Sequence, residues 1–100
     1  MIGYVGIHAS DASCPIDLSP PSVVVKYGAS VSVNCTTTTS ETHEGMGWEA
    51  TNGGTDQMED VTLVVWNVAN LTDWDPSPIC YINIGKQCEK TLPVVVYSKS

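Results

Sequence analysis

Along this chain, apolar and polar residues alternate in short segments with a period of two, and no long stretch carries a helical period. Val31, Val33 and Cys35 alternate with Ser32 and Asn34, which predicts a strand with one buried and one wet face. Met46 and Trp48 alternate in the same way with Gly47 and Glu49. Val61 to Val68 is the most apolar run and predicts a further strand; Ile79 to Ile84 and Thr91 to Tyr97 predict two more. Near the start, Ile16 to Ser19 opens an edge strand. Pro20-Pro21 breaks its ladder, because proline donates no hydrogen bond, and Ser22 to Val25 resumes it. Lys26-Tyr27-Gly28 and Gly85-Lys86-Gln87 read as turns, and Thr36 to Glu44 as a polar connection. Thr51 to Asp60, with Gly53-Gly54, reads as a loop holding at most one short edge strand. The fold class is therefore all-β: two packed antiparallel sheets of about seven strands.

The chain has 100 residues, 42% of them apolar, enough for one core that would gain from covalent bracing. Its four cysteines, Cys14, Cys35, Cys80 and Cys88, suggest two disulfides and an oxidising compartment. A zinc site needs close ligand pairs; the gaps here are 21, 45 and 8 positions, and neither His8 nor His43 completes a pair. Cys35 falls near the end of one strand, Trp48 follows 13 positions later, and Cys80 opens a strand 45 positions after Cys35. This is the core pattern of an immunoglobulin-like sandwich, with a tryptophan packed on an inter-sheet disulfide. Closing that loop stabilises by about 4 kcal/mol on the loop-entropy model. Four cysteines allow three connectivities. In this topology the first strand begins at the end of the sandwich where the last two strands connect, so Cys14 and Cys88, the latter just before the final strand, are expected to pair. A tyrosine corner would place Tyr two residues before Cys80; Pro78 stands there instead, and Tyr81 follows the cysteine.

Charge narrows the functional classes. A formal net charge of -7 with only four Lys and Arg disfavours nucleic acid and anionic membrane surfaces, and suits a partner that offers cations. No run approaches the about 18 apolar residues needed to span a bilayer, so no membrane insertion by this segment is expected. Met1 to Ala12 lacks the basic start and sustained apolar run of a signal peptide. Residues 1–13 are read as a loose N-terminal extension or an expression remnant, and residues 14–98 as the domain. No nucleophile, base and acid can be set together: His43, Glu41 and Glu44 share one polar stretch with no evident nucleophile. No enzyme activity, cofactor or intrinsic metal is expected.

The pieces Val31-Ser32-Val33-Asn34-Cys35-Thr36, Gly47-Trp48-Glu49, Pro78-Ile79-Cys80-Tyr81 and Val94-Val95-Val96-Tyr97, in this order and spacing, resemble the N-terminal immunoglobulin domain of the intercellular adhesion molecules. The resemblance covers most of Cys14 to Tyr97. It implies an extracellular, cell-surface adhesion domain that offers a glutamate near the end of its third strand to the metal of a leukocyte integrin. The matching residue is Glu49. Alternation agrees on its direction: with Trp48 inward, Glu49 faces solvent, a hard oxygen ligand suited to Mg²⁺. The chain departs from the family at Thr38 and Thr39, where a second cysteine of that strand would fall. It departs again at Ala50, which displaces the family's threonine to Thr51, and at Trp48, where the family often has an aliphatic residue. The alternatives to an integrin are a different or homophilic protein partner, or a spacer without a direct ligand.

Two sequons, Asn34-Cys35-Thr36 and Asn70-Leu71-Thr72, mark glycosylation candidates at Asn34 and Asn70. Trp66 and Trp74 lie outside the core pattern and read as core or loop anchors before binding residues. Asp73 and Asp75 supply too few oxygens for a calcium site.

Overall fold

The computed structural model describes residues 14–98; the N-terminal extension 1–13, with His8, lies outside the described residues. Eight strands follow in order: β1 Ile16–Ser19, β2 Val23–Lys26, β3 Val31–Thr37, β4 Gly45–Glu49, β5 Leu63–Val68, β6 Ile79–Ile84, β7 Lys86–Thr91 and β8 Val94–Tyr97. Two three-stranded antiparallel sheets, β1-β3-β5 and β4-β6-β7, form the layers of an immunoglobulin-like sandwich, and β2 pairs in parallel with β8 beside them.

The alternating pattern sets the first sheet. In β3, Val31, Val33 and Cys35 are buried while Ser32, Asn34 and Thr36 are exposed. In β5, Val64, Trp66 and Val68 go inward and Leu63, Val65 and Asn67 outward. Inward residues of both sheets close the core: Cys35 and Cys80 are fully buried, and their sulfurs are bonded, with Cα atoms 6.5 Å apart. Trp48 pairs in register with Cys80, and its ring lies 6.2 Å from that of Trp66 in the opposite layer. The Trp48 indole N–H donates to the Val64 carbonyl at 3.1 Å, so the largest core residue leaves no unpaired donor.

Several strand limits differ from the sequence reading. The strand expected from Val61 starts at Leu63, where pairing with Thr36 begins. Gly85, at φ 77°, reverses the chain so tightly that Lys86 and Gln87 already belong to β7 instead of a turn. Cys88 thus lies within a strand, opposite Ile82, rather than ahead of one. The expected closing strand from Thr91 to Tyr97 is two strands: β7 ends at Thr91, and β8 starts at Val94, after Pro93, which has no N–H to donate. Splitting the first and last strands in this way raises the count to eight. Cys14 is bonded to Cys88, tying the residues before β1 to β7. The Thr51 to Asp60 segment contributes one bridge, Met46 to Met58, and no further strand.

Candidate functional site

Glu49 is the last residue of β4 and its carboxylate is exposed, next to Trp48 at 1% exposure. Backbone and side-chain bonds hold this strand end from both sides. The Trp48 amide donates to Thr55 Oγ1 at 2.9 Å, and the Thr55 amide donates to the Trp48 carbonyl at 2.9 Å. Met46 and Met58 exchange both of their backbone bonds, at 3.0 and 2.9 Å. The Thr55–Met58 segment therefore runs along the free edge of β4 and blunts it.

Gly47 makes this close cover possible. A Cβ there would stand 2.8 Å from Tyr81 Oη, 2.9 Å from Thr55 Oγ1 and 3.0 Å from the Asp56 carbonyl oxygen. Tyr81 is the cross-strand neighbour of Gly47, so its side chain lies in the space a larger residue would fill. Sequence alternation puts Gly47 outward, and it is outward but buried, because the loop and Tyr81 cover it. The missed residues of the site are Gly47, Thr55 and Tyr81; the only local signal was a glycine inside a strand, a mark of close approach.

The loop that follows Glu49 is anchored through the core. Trp66 is 1% exposed and its indole N–H donates to the Asn52 carbonyl at 2.8 Å. Gly53, at φ 80°, sits against Val68 and Asn67 of β5, a backbone position that suits glycine. Thr51 Oγ1 donates to Asp73 Oδ2 at 3.0 Å, joining this loop to the connection between β5 and β6. Trp66 is thus a core residue and loop anchor, not part of a binding face.

Glu49 lines two open surface depressions at once. One is floored by Thr51, Gly54, Thr55, Tyr81 and Gln87. The other holds Asp73, Asp75, Ser77 and Ile79. No group of three or more His, Cys, Asp or Glu side chains that could hold a metal occurs among the described residues, so Asp73 and Asp75 do not assemble a calcium cage. A single exposed carboxylate on a fixed strand is instead a ligand for a cation carried by something else.

The remaining candidates fall elsewhere. Trp74 is 55% exposed and stacks on Tyr27 at a centroid distance of 4.3 Å. His43 is half-buried, and its Nε2–H donates to the Val61 carbonyl at 2.6 Å, with Nδ1 left without a partner. It therefore secures the chain ahead of β5, while Glu41 and Glu44 are exposed. Asn34 is exposed in the middle of β3, on the outer face of the first sheet. Asn70 is also exposed; its Nδ2 donates to the Gly28 carbonyl at 3.2 Å. Leu71, between Asn70 and Thr72, is buried and exchanges backbone bonds with Gly28 and Ala29.

Residues 11–100 match the family model for the intercellular adhesion molecule (ICAM), N-terminal domain. No curated protein matches the chain. The family is one of cell-surface adhesion domains, which act by binding proteins and are not enzymes as a class. The two disulfides suit the oxidising extracellular setting of such a domain, and no helix among the described residues is long and apolar enough to cross a membrane. With this match over nine-tenths of its length, and with a two-sheet sandwich bolted by Cys35–Cys80, the chain belongs to the intercellular adhesion molecule family as an N-terminal, immunoglobulin-like adhesion domain.

Proposed function

We propose that this domain is the ectodomain head of a cell-surface protein and binds a leukocyte-type integrin, with Glu49 as the ligand to a divalent cation held by the integrin. The folded adhesion unit in this reading is residues 14–98. The observation that carries it is the setting of Glu49: an exposed carboxylate at the end of a strand whose preceding residue is buried and doubly bonded to Thr55. Rigid placement matters because an ordered side chain on a fixed backbone loses less freedom on binding. A carboxylate oxygen satisfies an open position on Mg²⁺, and the surrounding acidic residues Asp73 and Asp75 favour a cation-bearing partner.

The test is integrin binding to the immobilised domain in Mg²⁺, in chelator, and with Glu49→Gln. Both chelation and the substitution should weaken binding at least about thirtyfold, the equivalent of about 2 kcal/mol. The variant should unfold within about 0.5 kcal/mol of the parent, since the residue is a surface one. Binding that survives both treatments would sink the integrin reading.

A second reading, another or a homophilic protein partner, is favoured by the Tyr27–Trp74 pair. Trp74 is 55% exposed and Tyr27 36%, stacked on each other at the surface. Trp74→Ala that abolishes self-association or capture, with Glu49→Gln silent, would select it.

A further inference from the structure

The outer face of the β1-β3-β5 sheet carries two exposed aliphatic residues, Leu63 at 45% and Val65 at 36% exposure. Both lie beside a sequon. Antiparallel pairing sets Val65 opposite Asn34, and Leu63 opposite Thr36. On the other side of β3, Ser19 faces Asn34 and Asp17 faces Thr36. Asn34, Val65, Thr36 and Leu63 thus form one outward quartet, with the acceptor asparagine and the apolar residues on adjacent strands. Directly opposed side chains in such a pair stand about 4.5–5.5 Å apart at Cβ, and diagonal ones about 7–8 Å. The first sugars of a glycan on Asn34 reach both.

We propose that Asn34 carries an N-linked glycan whose inner sugars lie over Val65 and Leu63 and close this face to protein partners. The occupant is chosen by register: the apolar pair sits where the modification is rooted. Sugar rings offer C–H faces to aliphatic side chains and hydroxyls to Ser19 and Asp17, so one ligand suits both sides of the quartet. The proposal is independent of the role of Glu49, which belongs to the other sheet.

In the modifying step, Asn34 Nδ2 attacks the anomeric carbon of an oligosaccharide carried on a lipid diphosphate. The carbon–nitrogen bond forms as the carbon–oxygen bond to diphosphate breaks; lipid diphosphate leaves with the bonding pair, and a base takes one amide proton. No oxidant or reductant enters. Asn34 is hydrogen-bonded within a strand flanked on both sides, so the acceptor is the chain before β1, β3 and β5 assemble. Cys35 is the middle residue of the sequon, and its partner is 45 residues further along. At about 5–20 residues synthesised per second, Cys80 follows about 2–9 s later, which leaves time for transfer before the disulfide closes the strand.

The test uses the full chain secreted from a glycosylating eukaryotic cell. Enzymatic deglycosylation in heavy-oxygen water, followed by peptide mass spectrometry, should convert Asn34 to isotope-labelled aspartate. Hydroxyl-radical footprinting is then compared between the glycosylated protein and Thr36→Ala, which keeps Asn34 but destroys the sequon. Wild-type protein stripped after folding serves as a second glycan-free sample should T36A not be secreted. Labelling of Leu63 and Val65 should rise several-fold without the glycan, while Val24 and Val95, exposed at 72% and 59% elsewhere, stay unchanged. Unmodified Asn34 in secreted protein would overturn the proposal. So would equal labelling of Leu63 and Val65 with and without the sugar.

Discussion

The two sheets of this domain use the same alternation in opposite ways. In the β1-β3-β5 sheet the strands alternate without exception between core and surface, and their outer side chains stand free. In the β4-β6-β7 sheet, β4 is buried at four consecutive positions, Gly45 to Trp48, and only Glu49 emerges. The cause is the Thr55–Met58 segment and Tyr81, which lie over β4 where Gly47 leaves room. Covering most of a strand singles out the residue that remains uncovered. The first sheet presents a broad, open face; the second presents one carboxylate at a defined place.

Four changes probe this contrast, the largest first. Replacing Cys35 and Cys80 together by Ala removes the bolt between the layers and should lower stability by about 4 kcal/mol in urea unfolding, affecting both sheets alike. A much smaller loss would mean that each sheet is held mainly by its own packing. Gly47→Val should cost about 1–3 kcal/mol, because the added atoms meet Tyr81, Thr55 and Asp56, and should also weaken partner binding by displacing that cover. If it proves neutral, the cover is not tight and Glu49 is not rigidly set. Thr55→Val, which removes the acceptor of the Trp48 amide, should cost about 1–3 kcal/mol at most and nearer the lower figure, because the site is only half-buried; amide exchange at Trp48 reads it directly. Val65→Thr, on the open face, should change stability by less than about 0.5 kcal/mol and leave integrin binding untouched. A clear binding defect there would move the working surface to the wrong sheet.

Much of the first sheet was legible because its pattern is local. Val31-Ser32-Val33-Asn34-Cys35 declares its buried face by period alone, and Glu49 is outward for the same reason that Trp48 is inward. The site was legible only in part. Nothing near Gly47 in sequence announces that Tyr81, 34 positions later, and Thr55 will converge on it. Trp66 stood outside the core pattern because its partner, the Asn52 carbonyl, belongs to a loop whose path the residue pattern does not specify. The last strand was read as one because Thr91 to Tyr97 is continuous in β-propensity; the change of partner from β6 to β2 at Leu92-Pro93 depends on where those strands lie in space.

The sequence by itself determined the sandwich, its strand faces and the direction of Glu49, since side-chain alternation is a property of each extended segment and requires no knowledge of its neighbours. Only the tertiary structure decided which face is open and which is covered. That outcome turns on segments distant in the chain meeting over a single glycine, and such meetings are set by packing, not by period.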